Sequence, residues 1–177
     1  MSFIGEVNKG TTYAPGYFLA HGDEGVVRET KEVAQNSALV VTSNDGTKHV
    51  PMGTAYPTND ANAIGILYED VDVTVGNMPG SVVTGNAEVY EDRLAATGES
   101  YDAASPAGTE NPSAEGWYER SGSAGSYVYT LTTDTTVDSE KTYYAKTVTR
   151  LASAAKTALQ ALGFKFIATA PTVERPY

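Results

Sequence analysis

Residues 63–77 read AIGILYEDVDVTVGN, and three carboxylates, Glu69, Asp70 and Asp72, fall within four positions. Val71, Val73 and Val75 alternate with Asp70, Asp72 and Thr74. Side chains along a strand point to opposite faces in turn, so the valines go to one side and the polar residues to the other. AIGILYEDVDVTV (63–75) is the longest strand candidate in the chain. Asp70 and Asp72 would then stand about 7 Å apart in Cα terms, a spacing that does not forbid a shared cation. Calcium, however, takes six or more oxygens from several directions, usually out of a loop. The simplest reading is the solvated face of a strand, with no metal site and no acid–base pair.

Working outward, β signals continue on both sides. SALVVTS (37–43) is a short β-branched run closed by the turn residues Asn44-Asp45-Gly46. KHVPMGTAYP (48–57) reads as a strand entering a loop. Asn77-Met78-Pro79-Gly80 reads as a turn before the strand candidate SVVTGNAEVYEDRL (81–94). The composition then shifts. ATGESYDAASPAGTENPSAEG (96–116) reads as linker or loop, and it leads into two or three aromatic-rich strands with a Gly/Ser turn at 121–126. The segment 99–147 has its own loops, its own aromatics and the only tryptophan, Trp117, and is expected to be an inserted minidomain.

One helix follows, in VTRLASAAKTALQALG (148–163), where Leu151, Ala154, Ala155, Ala158, Leu159 and Leu162 share a face at helical spacing. Gly163 supplies its stop, with Phe164 able to fold back on the last turn. FKFIATA (164–170) is a final strand with Phe164 and Phe166 on one face, and PTVERPY (171–177) is a Pro-bracketed tail. The expected fold is mainly β with one C-terminal α-helix, an α+β arrangement. Residues 33–98 and 148–177 make one discontinuous β domain and 99–147 an inserted β minidomain.

Residues 1–32 show no sustained period. They scatter Phe3, Ile4, Tyr13, Tyr17 and Phe18 among glycines and Pro15, then turn charged in DEGVVRETKE (23–32). One reading is an extended arm whose aromatic anchors drape across a partner; the other is an N-terminal strand on the chain's own domain.

With 22 acidic against 12 basic residues the net charge is −10, which repels nucleic acid and anionic membranes, so neither is an expected partner. The absence of cysteine excludes disulfides, zinc–thiolate sites and cysteine nucleophiles. The sequence MSFIGEVNKG lacks the basic and apolar regions of a signal peptide, and no apolar run reaches the length of a membrane span. Synthesis and folding in the cytosol are expected.

The search for chemistry finds little. His21 and His49 are the only histidines, and neither lies in a G-x-S-x-G, H-E-x-x-H, Walker or G-x-G-x-x-G setting. No catalytic residue, metal ligand or cofactor site is expected. Trp117-Tyr118 and Tyr143-Tyr144 could form a sugar-stacking surface or the core of the minidomain, and a segment this short needs its large aromatics inside.

Three segments carry a family resemblance: VPMGTAYPTNDANAIGILYEDVDVT (50–74), GSVVTGNAEVYEDRL (80–94) and ALQALGFKFI (158–167). In this order they resemble the head decoration or head fibre proteins of tailed bacteriophages. The matching elements are Gly53, Gly65 to Leu67, Asp70 to Thr74, Gly85 to Val89, and Leu159 to Phe166. Residues 99–147 depart from that pattern. They resemble instead a short module of structural proteins from phages of Gram-positive hosts, carried by Gly116 to Glu119 and Thr133 to Tyr144. The resemblance implies a non-enzymatic protein of the outer capsid surface, bound to the major capsid protein and self-associated as a dimer or trimer. Phe3, Ile4, Tyr13, Tyr17 and Phe18 would be its capsid contacts. Such a protein stabilises the shell because it binds the assembled surface and not the dissociated subunits. The competing expectation is a carbohydrate-binding or host-adhesion module, with Trp117, Tyr118, Tyr143 and Tyr144 exposed toward a host-surface glycan.

Overall fold

The computed structural model describes residues 14–43, 45–104 and 111–171. In chain order the strands are β1 (Val27–Val33), β2 (Val41–Thr42), β3 (Lys48–Val50), β4 (Ala55–Tyr56), β5 (Gly65–Leu67), β6 (Val71–Asp72), β7 (Met78–Gly85) and β8 (Glu88–Tyr90). They continue with β9 (Gly98–Ala104), β10 (Tyr118–Ser121), β11 (Val128–Leu131), β12 (Tyr143–Thr149) and β13 (Lys165–Ile167). Two helices, α1 (Pro112–Glu115) and α2 (Ser153–Ala161), complete a mainly β, α+β fold. The described residues form two compact units, one on either side of the Thr97/Gly98 and Thr149/Arg150 boundaries. Unit 2 is Gly98–Thr149, set against the 99–147 expected, and unit 1 is the remainder.

Unit 1 is organised around β7. It pairs antiparallel with β1 along the whole of that strand, from Val27 opposite Gly85 to Val33 opposite Met78. On its other side β5 places Ile66 opposite Val83 and Leu67 opposite Val82. Consecutive residues of a strand face opposite ways, so this sheet, ordered β1-β7-β5-β4, is apolar on both faces. Ile66 and Val83 join Phe18, Val89, Ala155, Leu159 and Phe164 in one core, while Leu67 and Val82 join Val33, Val50, Val71 and Val73 in a second. The small sheet β2-β3-β6 supplies much of the second core. Ile66, Leu67, Val82 and Val83 are all at most 1% exposed, and burying each stabilises the fold by about 1.5–3 kcal/mol. Gly65 is the one residue that fits its place in β5, because a Cβ there would collide with the Val83 carbonyl oxygen.

The expected single strand over 63–75 is two strands in different sheets. The break falls at Tyr68–Asp70. The Tyr68 N–H donates to the Ser81 carbonyl at 2.8 Å, and the Tyr68 carbonyl accepts from Gly16 N–H at 2.8 Å, which ends the first ladder. Val71 (6% exposed) and Val73 (0%) keep the expected inward alternation, but Val75 is 87% exposed. Nor are residues 77–80 a turn, since β7 begins at Met78. Pro79, opposite Glu32, brings no N–H to the ladder, and the Glu32 carbonyl accepts from the Tyr56 hydroxyl at 2.7 Å.

Helix α2 is shorter than its apolar pattern. It buries Ala155 and Leu159, whereas Ala154 is exposed and Leu162 is 43% exposed. The ending explains the difference. Gly163 adopts a left-handed φ of +89°, its N–H bonds the Gln160 carbonyl at 3.1 Å, and the Phe164 N–H reaches back to Leu159 at 3.2 Å. This closure is a Schellman motif, and it swings Phe164 into the core where another turn of helix would have put Leu162. Strand β13 then runs parallel to β8, with Phe166 opposite Val89.

The larger correction concerns the N-terminal arm. Residues 14–33 belong to unit 1. Phe18, Leu19 and Ala20 are 0–4% exposed, Leu19 bridges to Val89, and the Phe18 carbonyl accepts from Tyr90 N–H at 2.9 Å. Val27–Val33 is a strand. Of the two readings of this region, the strand on the chain's own domain describes residues 14–33.

Unit 2 is a four-stranded antiparallel sheet in the order β11-β10-β12-β9. The unforeseen strand is β9, hidden in a stretch whose Gly, Ala, Ser and Asp content argues for loop. It pairs with β12 from Gly98 opposite Thr149 to Ala104 opposite Tyr143.

Candidate binding surfaces

In unit 2, residues opposed across the ladders share a face. Tyr118 stands opposite both Leu131 and Tyr144, Tyr129 opposite Arg120, and Tyr101 opposite Lys146. One face therefore carries Tyr101, Tyr118, Tyr129 and Tyr144, with Arg120 and Lys146 among them. The rings of Tyr101 and Tyr129 lie parallel at 4.1 Å. Tyr118 meets Tyr101 edge-on at 5.1 Å, and Tyr144 meets Tyr129 edge-on at 5.2 Å. Arg120 lies over Tyr127 at 4.2 Å and over Tyr144 at 4.9 Å. Each such contact stabilises by about 0.5–1.5 kcal/mol beyond area alone. The tyrosines are spent on one another.

The opposite face is centred on Tyr143. Its hydroxyl donates to Asp134 Oδ2 at 2.7 Å and accepts from the Asp138 N–H at 3.0 Å. Lys141 Nζ lies 2.8 Å from Asp134 Oδ2 and 3.3 Å from Glu119 Oε1, and the Thr132 hydroxyl donates to that same Glu119 oxygen. The Lys141 hydrogen bond, then that of Tyr143, holds the Asp134 carboxyl below its ordinary range, and Asp134 raises Lys141 in return. Burial first of all raises the Tyr143 phenol.

These positions decide the candidate aromatic surface. Tyr143 is 2% and Tyr144 5% exposed, so they are core residues and not part of an exposed platform. Successive positions of a strand face opposite sides, and at Tyr143 and Tyr144 both sides of β12 are covered, whereas Lys146 and Thr147 are exposed. Tyr118 is half-buried in the tyrosine cluster. Trp117 is half-buried, its indole N–H directed at Glu115 Oε2 at 3.4 Å. Among the described residues, the large apolar groups that unit 2 exposes are Tyr127, Val128 and Leu131, at 42%, 56% and 53%, and they lie in or next to a strand that follows a Gly/Ser turn.

The candidate capsid contacts divide. Phe3, Ile4 and Tyr13 lie outside the described residues. Tyr17 is half-buried beneath Arg93, whose guanidinium stacks on the ring at 4.1 Å and donates to the Tyr17 carbonyl at 3.1 Å. Phe18 is fully buried and contacts no solvent. As a surface anchor Phe18 is withdrawn, while Tyr17 keeps a half-exposed ring already paired with Arg93.

The carboxylates of 69–72 turn to backbone. Asp70 Oδ1 accepts from the Met52 N–H at 2.7 Å and Asp72 Oδ1 from the Thr74 N–H at 2.8 Å. The bonds from Thr74 lower the Asp72 carboxyl. Among the described residues, no three His, Asp or Glu side chains come together as a metal site. His21 Nε2 lies 2.7 Å from Glu88 Oε2, and Lys165 Nζ 3.0 Å from Glu88 Oε1, a surface cluster that lowers Glu88, chiefly through Lys165. Unit 1 also exposes Val27, Ile64 and Leu162, at 44%, 42% and 43%, around a shallow groove of about 440 Å³ beside β1. They come from three distant segments, and no local pattern links them.

No protein-family model matches the chain, and no curated protein or solved structure is significantly similar to it.

Proposed function

We propose that the protein is a decoration protein of a bacteriophage head, docking on the outer surface of an assembled capsid lattice through unit 1. What supports this reading is the convergence, in unit 1, of the separate segments that resemble phage head decoration proteins. Each has an identifiable structural task. Gly53, at φ +80°, lies where a Cβ would come within 3.0 Å of the Ala95 nitrogen. Gly65 lets β5 close on β7, and Ile66 and Leu67 feed the two cores. Asp70 and Asp72 tie down the Met52 and Thr74 N–H groups. Gly85 lets β7 pass the Leu162 carbonyl, and Leu159 to Phe166 closes the helix and adds β13. The net charge of −10 suits the outside of a shell, away from packaged DNA. In the glycan-adhesion reading, the ring faces of unit 2 would have to be free for sugar, and they are largely engaged with one another.

The test is co-sedimentation of the purified full-length protein with heads lacking it, followed by heating. The expected result is saturable binding and release of DNA at a higher temperature. Absence of binding to heads, together with retention on cell-wall glycan that Trp117→Ala abolishes, would replace this reading with adhesion.

A further inference from the structure

Strand β1 ends its sheet: β7 pairs with one edge, and the other edge has no partner strand among the described residues. Its sequence is Val27-Arg28-Glu29-Thr30-Lys31-Glu32-Val33, mostly exposed up to Val33. An unpaired edge of this length is a template for another strand unless it is blocked. These seven residues are self-complementary. Laid antiparallel on a second copy with Thr30 opposite Thr30, Glu29 meets Lys31, Arg28 meets Glu32 and Val27 meets Val33. By symmetry each charge pair occurs twice. We propose that β1 is a self-pairing edge, joining two copies of this chain about a two-fold axis at Thr30, so that their two four-stranded sheets become one continuous sheet.

The geometry permits this register. Opposed residues share parity, so the outward N–H and C=O groups of one copy meet those of the other, whichever residues present them. Neighbouring registers are penalised. A slip of two residues in pairing places Glu29 on Glu29 or Lys31 on Lys31 at the axis. A slip of one opposes Arg28 to Lys31 or Glu29 to Glu32. Like charges directly opposed destabilise a sheet pair, and opposite ones stabilise it, so the charge order selects one register. Pairing exchanges the present partners of these groups: Asn77 Nδ2 donates to Glu32 Oε1 at 3.1 Å, and the Tyr56 hydroxyl to the outward Glu32 carbonyl at 2.7 Å. Lys31 is bonded to Glu29 of its own strand, which raises the Lys31 ammonium, and Arg28 lies 3.6 Å from Asp23 with its guanidinium over Tyr68. All are partly exposed. A two-fold interface of this kind uses one patch twice, as closed symmetric dimers do. The proposal stands apart from the capsid reading.

Sedimentation velocity on the full chain tests it. Wild type should dimerise. Glu29→Lys alone and Lys31→Glu alone should each weaken the dimer about tenfold or more, because each opposes like charges twice. An equimolar mixture of the two variants should restore dimers. So should a chain carrying both substitutions, since opposite charges then face each other again across the axis. Restoration also separates lost pairing from lost folding. The chain has no cysteine, so Thr30→Cys adds a single thiol that should cross-link copies on mild oxidation, unlike Ser121→Cys in unit 2. A wild type that stays monomeric at millimolar concentration overturns the proposal, the charges then serving only to protect the edge. A dimer indifferent to both single substitutions overturns it too.

Discussion

Unit 1 and unit 2 are both built on antiparallel sheets, yet they are held together by different chemistry. Unit 1 buries aliphatic side chains on both faces of its central sheet, and its polar side chains mostly serve backbone groups at the margins. Unit 2 buries few aliphatics. It closes one face with four tyrosines and the other with a hydroxyl, carboxylate and ammonium network around Tyr143. A small sheet flanked by Gly- and Ser-rich chain lacks the aliphatic residues for a core of the first kind, and tyrosine supplies area and a hydrogen-bonding tip at once. The two units should therefore fail under different insults.

The largest effect is expected from Leu159→Asp. Leu159 is 0% exposed, and a buried unpaired carboxylate costs several kcal/mol, a large share of the roughly 5–15 kcal/mol that holds a domain. Unit 1 should unfold, read as loss of its dispersed methyl resonances, while the ring resonances of Tyr143 and Tyr144 persist. Collapse of both sets together would show that the units are one cooperative body.

Tyr143→Phe should act in the opposite place. It deletes the donor to Asp134 and the acceptor for the Asp138 N–H, destabilising unit 2 by about 1–3 kcal/mol. Unit 1 should melt unchanged. Hydrogen exchange of the β12 and Leu159 amides reports the two separately.

Alkaline pH sharpens the contrast without mutation. In unit 2 burial raises Tyr143 and Tyr101, and bonded carboxylates raise Lys141 and Lys146. In unit 1 only Tyr68 and Lys31 are clearly raised among the described residues. A group whose folded pKa exceeds its unfolded value gives stability that is complete below the unfolded value and lost as pH climbs through the folded one. Protection in unit 2 should thus fall more steeply than in unit 1 above about pH 10. Equal loss in both would mean that the Tyr143 network contributes little.

The smallest effect belongs to Asp70→Asn with Asp72→Asn. Asp70 is exposed and Asp72 half-buried, and both accept backbone N–H groups that an amide oxygen can also accept. The melting temperature should move by no more than about 1 kcal/mol allows, and calcium should not shift it. A calcium-dependent rise lost in the double variant would make these residues a metal site.

How far the sequence could be read follows from these packing rules. Val71 and Val73 alternate as a half-buried strand should, and Gly163 with Phe164 announces the end of the helix. The break at Tyr68 was not legible, because Ser81 and Gly16, distant in sequence, end the ladder there. Phe18 looked like a free anchor because the core it joins, with Val89 and Leu159, is assembled from far along the chain. Strand β9 was concealed by small residues that lend it β character only once β12 lies beside it. The Tyr143 network was invisible for a similar reason: Glu119, Thr132, Asp134 and Lys141 are polar residues of turn-rich sequence until the fold collects them.

The central claim, that unit 1 is the docking body and unit 2 a separable attachment, has a direct test. The Thr97 hydroxyl donates to the Arg150 carbonyl at 3.1 Å, so the ends of unit 1 meet and a short Gly/Ser linker can replace Gly98–Thr149 at little entropic cost. This shortened chain should fold and saturate undecorated heads at the same concentration as the full protein. A shortened chain that folds, retains its Leu159 protection and yet leaves the heads bare, while the full protein binds them, would contradict the account.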